Sequence, residues 1–291
     1  MIRCLPASLA ALWMVSAAAF ATDPQPEEWV FLDNGQLRVG LNRSAGGAIG
    51  WFSESRGSAN LLNHYDKGRY LQQSWYGRVD GSDWNGKAWR WNPVQAGGWR
   101  GEKSELLAYE SGPNRLHTRT RPRHWASGAL LSDVEFEQTV VFVEDRLIRI
   151  RFHMRYKSAE THPEHDQELP ACFVDPALDT LVLYDGETPW TGAPLSRSTP
   201  GWPNETRAMT EHWAAWIDPT SGRGIGLCVP AAERLTCYRF GKMGAPGSCS
   251  YLAPIRRMAI GPDFDFEYDV FLTLGTPEEM RERFRRVIGQ G

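Results

Sequence analysis

Between Asn63 and Trp99 the chain concentrates hydrogen-bonding side chains and aromatic rings: Asn63, Asp66, Arg69, Gln72, Gln73, Tyr76, Asp83, Trp84, Trp89, Trp91, Asn92, Gln95 and Trp99, separated by glycines. A sugar offers hydroxyls that need two-sided hydrogen-bond partners and C–H faces that lie against rings, so this mixture is what a saccharide site requires. The plain alternative is a long loop with packed tryptophans. Four tryptophans within residues 84–99, in a polar and glycine-rich stretch, weigh against it. Arg69 could fork two sugar oxygens, a geometry that lysine lacks, or it could pair with Asp66 to hold a turn.

A second concentration is His162-Pro163-Glu164-His165-Asp166-Gln167-Glu168. His165 and Glu168 could act as acid and base, or Glu168 could protonate a glycosidic oxygen. The spacing of His162, His165 and Glu168 also resembles a metal-ligand pattern. Pro163 and the acidic neighbours oppose a regular helix with all three on one face, so no metal is assigned and no cofactor is implied. The structural alternative is a solvated loop between strands.

In Thr210-Glu211-His212-Trp213 a carboxylate stands beside an indole, whose apolar surface disfavours ionisation and suits a general acid. A decorated sheet edge is the alternative there. His124-Trp125, in a run with Arg119, Arg121 and Arg123, could recognise acidic sugars, although a solvated strand has the same pattern. The candidate catalytic residues are thus Asp66, Glu168, Glu211 and His165. The candidate substrate-binding residues are Arg69, Gln72, Tyr76, Asp83, Trp84, Asn92, Gln95, His124 and Trp213.

These residues must be carried by strands, because the dominant hydrophobic period is two. Val134, Phe136, Val140 and Phe142 alternate with polar residues, and so do Ile148, Ile150, Phe152 and Met154. Pairing Glu135 with Arg155 and Glu137 with His153 keeps both apolar sets on one face, which predicts a three-residue loop, Glu144-Asp145-Arg146, with a bulge. Further strand-like pieces include Trp29–Asp33, Gln36–Leu41, Ala48–Ser53, Leu71–Arg78, Arg115–Arg121, Trp213–Asp218 and Phe264–Leu274. One helix is expected at the C-terminus. Thr276-Pro277-Glu278-Glu279 is a capping box with Pro at the first helical position, and Met280, Phe284, Val287 and Ile288 share a face.

Residues 1–21 read as a signal peptide: Arg3, an apolar stretch from Leu5 to Ala19, and Ala19-Phe20-Ala21 before Thr22. The expectation is a secreted or periplasmic protein whose residues 22–291 form a single domain, with no membrane attachment once the signal is removed. Lys+Arg of 32 against Asp+Glu of 35 gives a net charge of −3. Such a chain has no general basic field for nucleic acid or anionic lipid. Cys172, Cys228, Cys237 and Cys249 could pair in an oxidising compartment or remain buried thiols. No oligomeric state follows from the sequence.

The opening Asp33-Asn34-Gly35-Gln36-Leu37-Arg38-Val39-Gly40-Leu41, then Gly46-Gly47-Ala48-Ile49 and Asn60-Leu61-Leu62, resembles the first strands of galactose-mutarotase-like β-supersandwich proteins. Phe266 to Gly275 followed by a short helix is similar to their last strand and tail. The resemblance implies an all-β supersandwich of antiparallel sheets with one short C-terminal helix, and a carbohydrate ligand on the hollow face of a sheet. It also implies an arginine early in the sheet that binds substrate, comparable in place to Arg69. The family's acid histidine has its nearest counterpart in His165. The residues after it, Asp166-Gln167-Glu168, depart from the aromatic-Asn-Leu sequence that follows the family's histidine, and no late-strand Glu stands in a matching motif. Glycan cleavage by a carboxylate pair, two of Asp66, Asp83, Glu168 and Glu211, is the leading expectation. A lyase using Arg69, Tyr76, His124 or His165, an epimerase and a non-catalytic glycan binder are the alternatives.

Overall fold

The computed structural model describes residues 28–55, 58–63 and 69–288. The segment read as a signal peptide and the candidate Asp66 lie outside them. Antiparallel strands dominate, in two large sheets.

The larger, ten-stranded sheet runs in the order Trp29–Asp33, Leu37–Asn42, Ala48–Glu54, Leu71–Ser74, His162–Val174, Cys249–Ile260, Arg234–Phe240 and Glu205–Ala208. Pro93–Val94 pairs beside Leu71–Ser74 and carries Arg123–His124 on its other side. The second sheet has nine strands, in the order Ser196–Ser198, Thr180–Leu183, Trp213–Ile217, Gly224–Cys228, Asp265–Gly275, Leu147–Tyr156, Val134–Glu144, Arg115–Arg121 and Glu105–Gly112. A separate hairpin, Val79–Trp84 with Lys87–Arg90, pairs only with itself among the described strands.

One continuous apolar core fills the space between the sheets. Leu37, Val39, Phe52, Leu71, Leu169, Cys172, Cys237 and Leu252 enter it from the larger sheet, and Phe136, Val140, Ile148, Ile150, Phe152, Val270 and Leu272 from the other. The alternate residues of the larger sheet, Gln72, Ser74, Tyr238 and Tyr251, therefore face away from the core, as a period of two requires.

The expected register is present, with Glu135 opposite Arg155 and Glu137 opposite His153. The loop is shorter than expected. Glu144 pairs with Leu147 and the register shifts between Phe142 and Glu144. The bulge at Val143 absorbs the extra residue, so Asp145-Arg146 suffices as the turn.

Two strands at the centre of the larger sheet were not expected at all, His162–Val174 and Cys249–Ile260. For the first, the sequence offers an acid-base site or a solvated loop, and neither reading includes a strand. Its sequence hides a strand because Leu169 and Cys172, three residues apart, both point into the core. A register shift on both of its partners between Glu168 and residues 171–172 makes this possible. One extra residue there exchanges the faces of the strand, turning Glu168 outward while Cys172 points inward.

The C-terminal helix, Pro277–Ile288, is capped as expected. The Thr276 amide donates to Glu279 Oε2 at 3.0 Å and the Glu279 amide donates to Thr276 Oγ1 at 3.3 Å. Met280 and Phe284 pack on Leu147, Val182, Trp213, Ala215, Ile217 and Cys228, covering the outer face of the nine-stranded sheet. Cys172, Cys228, Cys237 and Cys249 are buried as thiols. Burial pushes the thiols of Cys172 and Cys237 up to about 12, which keeps them protonated and unreactive. No helix among the described residues is long and apolar enough to cross a membrane.

Candidate functional site

The outward face of the larger sheet holds a cavity of about 300 Å³. Its floor comes from three adjacent strands: Gln72 and Ser74, then Glu168, Ala171 and Phe173, then Tyr251. Tyr238 and Phe240 from the next strand, with Trp202 and Asn204 before the edge strand, form one wall. Trp84 and Trp89 on the separate hairpin, with Asn92 and Trp125, belong to the same lining, as do Arg69, Tyr76 and Val94.

Glu168 is the carboxylate of this lining among the described residues, and 9% of it is exposed. Tyr251 donates its hydroxyl to Oε1 at 2.5 Å and Tyr76 donates to Oε2 at 3.0 Å. Burial pushes the Glu168 carboxyl above its ordinary value, against the opposing pull of the Tyr251, Tyr76 and Ser74 hydroxyls. Burial also raises both tyrosines well above their usual range, and the charge of Glu168 adds to the effect. The phenols thus remain protonated donors, and burial favours the neutral form of Glu168.

The supports are specific. Tyr76 lies beyond the end of its strand, yet its amide donates to Gln167 Oε1 at 2.7 Å and its carbonyl accepts from Gln167 Nε2 at 2.8 Å. The buried amide of Gln167 replaces the missing sheet ladder and fixes the phenol against Glu168. Asn92 donates to the Trp75 carbonyl at 2.7 Å and accepts from Trp89 Nε1 at 3.2 Å, which sets the angle of that indole. The hairpin that carries Trp84 and Trp89 turns at Asn85 and Gly86, both at positive φ. An Asn-Gly pair fits a type I′ turn for that reason, and this dipeptide was a signal for the hairpin that went unused. The two indoles meet at 4.8 Å between centroids.

Of the candidates named from sequence, Arg69, Gln72, Tyr76, Trp84, Asn92 and Glu168 converge on this cavity. Arg69 donates to the Gly247 carbonyl at 3.1 Å. The other candidates among the described residues lie elsewhere, each for a visible reason. Glu211 is fully buried behind the other sheet, where Arg281 grips it through Nη2 at 2.5 Å and Nε at 2.9 Å. The Trp213 indole and the Trp190 amide also donate to Glu211, and Trp213 itself packs under the C-terminal helix. Neither residue reaches the cavity.

Gln95 is buried and spans the two sheets through Gln138 at 3.0 Å. His124 Nδ1 accepts from the amides of Ala126 and Ser127, and its Nε2 bonds Asp80 at 2.8 Å, so its ring is committed to a turn. Asp83 caps the hairpin turn at the Gly86 amide, 2.9 Å away. His165 stands behind Tyr76, its ring 5.5 Å from the phenol, with Nε2 on Arg90 and Nδ1 donating to the Asp166 carbonyl at 3.0 Å. His162 stacks on Trp91 at 4.0 Å and bonds the Tyr156 hydroxyl. Among the described residues no group of three or more His, Cys, Asp or Glu is set to hold a metal ion.

Sequence reasoning missed Tyr251, Tyr238, Phe173, Trp202, Asn204 and Phe240. Phe173, Tyr238 and Tyr251 form a row with ring separations of 4.5 and 4.7 Å. Their only sequence signal is aromatic residues alternating with small core residues, as in Cys237-Tyr238 and Tyr251-Leu252.

Solved structures of similar fold identify the architecture. A galactose mutarotase-like protein from Lactobacillus casei ATCC 334 aligns with a TM-score of 0.53 and 11% identity, covering 85% of this chain and 100% of that one. A GalM/aldose epimerase homologue from C. elegans gives 0.53 and 10% identity over 85% and 99% of the two chains. A galactose mutarotase related enzyme from Lactobacillus acidophilus gives 0.50 and 11% identity over 85% and 97%. No family model matches the sequence, and no curated protein matches it. At these identities the likeness is one of fold, and the chain has the galactose-mutarotase-like fold.

Proposed function

We propose that this protein is a carbohydrate-active enzyme that binds a sugar in the aromatic-walled cavity and moves a proton on it through Glu168. The observation that carries this reading is a cavity-facing carboxyl, raised by burial and held on both oxygens by tyrosine hydroxyls, amid rings and amides suited to a saccharide. Solved structures of similar fold that bear mutarotase and aldose epimerase names are consistent with it.

The chemistry such a group supports is interconversion at the anomeric carbon. Glu168 takes the proton of the anomeric hydroxyl while the ring C–O bond opens and water protonates the ring oxygen. Ring closure on the other face returns the proton. Cleavage by a carboxylate pair needs a second carboxylate across the scissile bond. Glu211 is committed to Arg281 on the far side of the sandwich, so among the described residues that partner is lacking. A general-acid role for Glu168 in glycosidic cleavage draws on the same raised carboxyl, and it would require Asp66 as partner.

The test is to incubate the purified chain with neutral and acidic mono- and oligosaccharides and follow three products by NMR. Anomer exchange that Glu168→Gln lowers by orders of magnitude, with melting unchanged, supports the proposal. New reducing ends lost in both Glu168→Gln and Asp66→Asn would establish cleavage instead, and unsaturated products a lyase. Full turnover in Glu168→Gln overturns the role of Glu168. Export forms part of the same proposal and rests on the reading of residues 1–21. Recovery outside the cytoplasm of a chain beginning at Thr22 is its check.

A further inference from the structure

Trp202 is 59% exposed and Phe240 46%, although both line the cavity. Exposed rings that adjoin one another, as these do, mark a binding surface. These rings are also held in place. Trp202 stands edge-on to Tyr238 at 5.1 Å and to Phe240 at 5.9 Å. Tyr238 lies 4.7 Å from Tyr251, whose hydroxyl reaches Glu168. A row of rings thus leads from the reacting carboxyl to the lip in steps of 4.7 and 5.1 Å. A sugar ring centred over Glu168 leaves the lip uncovered.

We propose that the site takes a neutral oligosaccharide, and that Trp202 and Phe240 form a second subsite which stacks the unit next to the one over Glu168. This rests on the carbohydrate reading above and extends it to substrate length and charge. The occupant follows from continuity: the lip belongs to the same cavity, and its rings offer the flat apolar surface that a sugar's C–H face covers. Asn204 adds an amide on the same wall. Neutrality follows from the lining. Arg69 and Glu168 are its charged members among the described residues. Trp202, Phe240, Tyr238 and Asn204 offer no cation for a carboxylated or sulfated unit at the lip.

The experiment is calorimetric titration of the full chain, in the Glu168→Gln background to prevent turnover, with a panel of neutral monosaccharides, neutral oligosaccharides and oligouronides. The best neutral oligosaccharide should bind about tenfold tighter than its own monosaccharide, the gain expected from covering part of an exposed indole. Trp202→Ala should remove that gain, so that oligosaccharide and monosaccharide bind the variant equally. Phe240→Ala should remove part of it. Equal affinity for monomer and oligomer, a gain that survives both substitutions, or a preference for oligouronides overturns the inference while leaving a sugar site in place. No binding of any saccharide overturns the carbohydrate reading itself.

Discussion

Tyr251→Phe isolates one hydroxyl. The ring keeps its place between Phe173 and Tyr238, and Glu168 Oε1 loses its 2.5 Å donor. Glu168 ionises in the unfolded chain at about pH 4.3, whereas in the folded protein burial holds its carboxyl higher. Between the two values the native state binds more protons than the unfolded one, so stability falls as pH rises through the window and stays reduced above it. The Tyr251 hydroxyl opposes that loss because it favours the carboxylate, and its removal widens the window. A hydrogen bond to the neutral acid contributes about 1 kcal/mol and one to the carboxylate about 2–3 kcal/mol. The variant should therefore be less stable than its parent by about 1 kcal/mol below about pH 4, and by about 2–3 kcal/mol near pH 9. Urea unfolding followed by tryptophan fluorescence at both pH values gives the two differences, provided the slopes of parent and variant agree. An equal loss at both would refute the coupling between this phenol and an ionising Glu168.

Arg281→Met leaves the carboxylate of Glu211 fully buried without its guanidinium and should cost about 3–5 kcal/mol of stability, read from the shift in urea midpoint. Sugar turnover at temperatures where the variant remains folded should be unchanged, and a loss of activity without a loss of stability would return Glu211 to the chemistry. Trp84→Ala removes a ring from a hairpin that pairs outside both large sheets. It should weaken sugar binding by about tenfold in calorimetry and barely move the melting temperature, and an unchanged affinity would make that indole a packing residue.

The strands Val134–Glu144 and Leu147–Tyr156 were legible because their core residues alternate with more polar, more exposed ones. The capping box at Thr276 was legible because its signal is local. The centre of the larger sheet was not. His162–Val174 presents a polar face to the cavity, contains Pro163 and Pro170, and changes faces at a bulge, so its pattern matches no single period. Cys249–Ile260 is buried on both faces up to Ile255 and carries Pro254, Arg256 and Arg257, so it too lacks a period of two.

The candidate site divided along the same line. Residues close together in sequence, Arg69, Gln72, Tyr76, Trp84 and Asn92, could be picked from composition. The second tyrosine that makes Glu168 distinctive, Tyr251, stands 83 residues away in the chain, and only pairing across the sheet brings it there. Glu211 shows the converse. A carboxylate beside an indole reads alike whether it faces a ligand or an arginine, and only the helix that supplies Arg281 tells them apart.

The bulge between Glu168 and Ala171 separates two duties within one strand. On one side of the sheet, Leu169 and Cys172 hold the sandwich together. On the other, Glu168, Ala171 and Phe173 meet whatever enters. Because the second set contributes little to the glue between the layers, substitutions there should change what the cavity accepts while the two sheets stay packed.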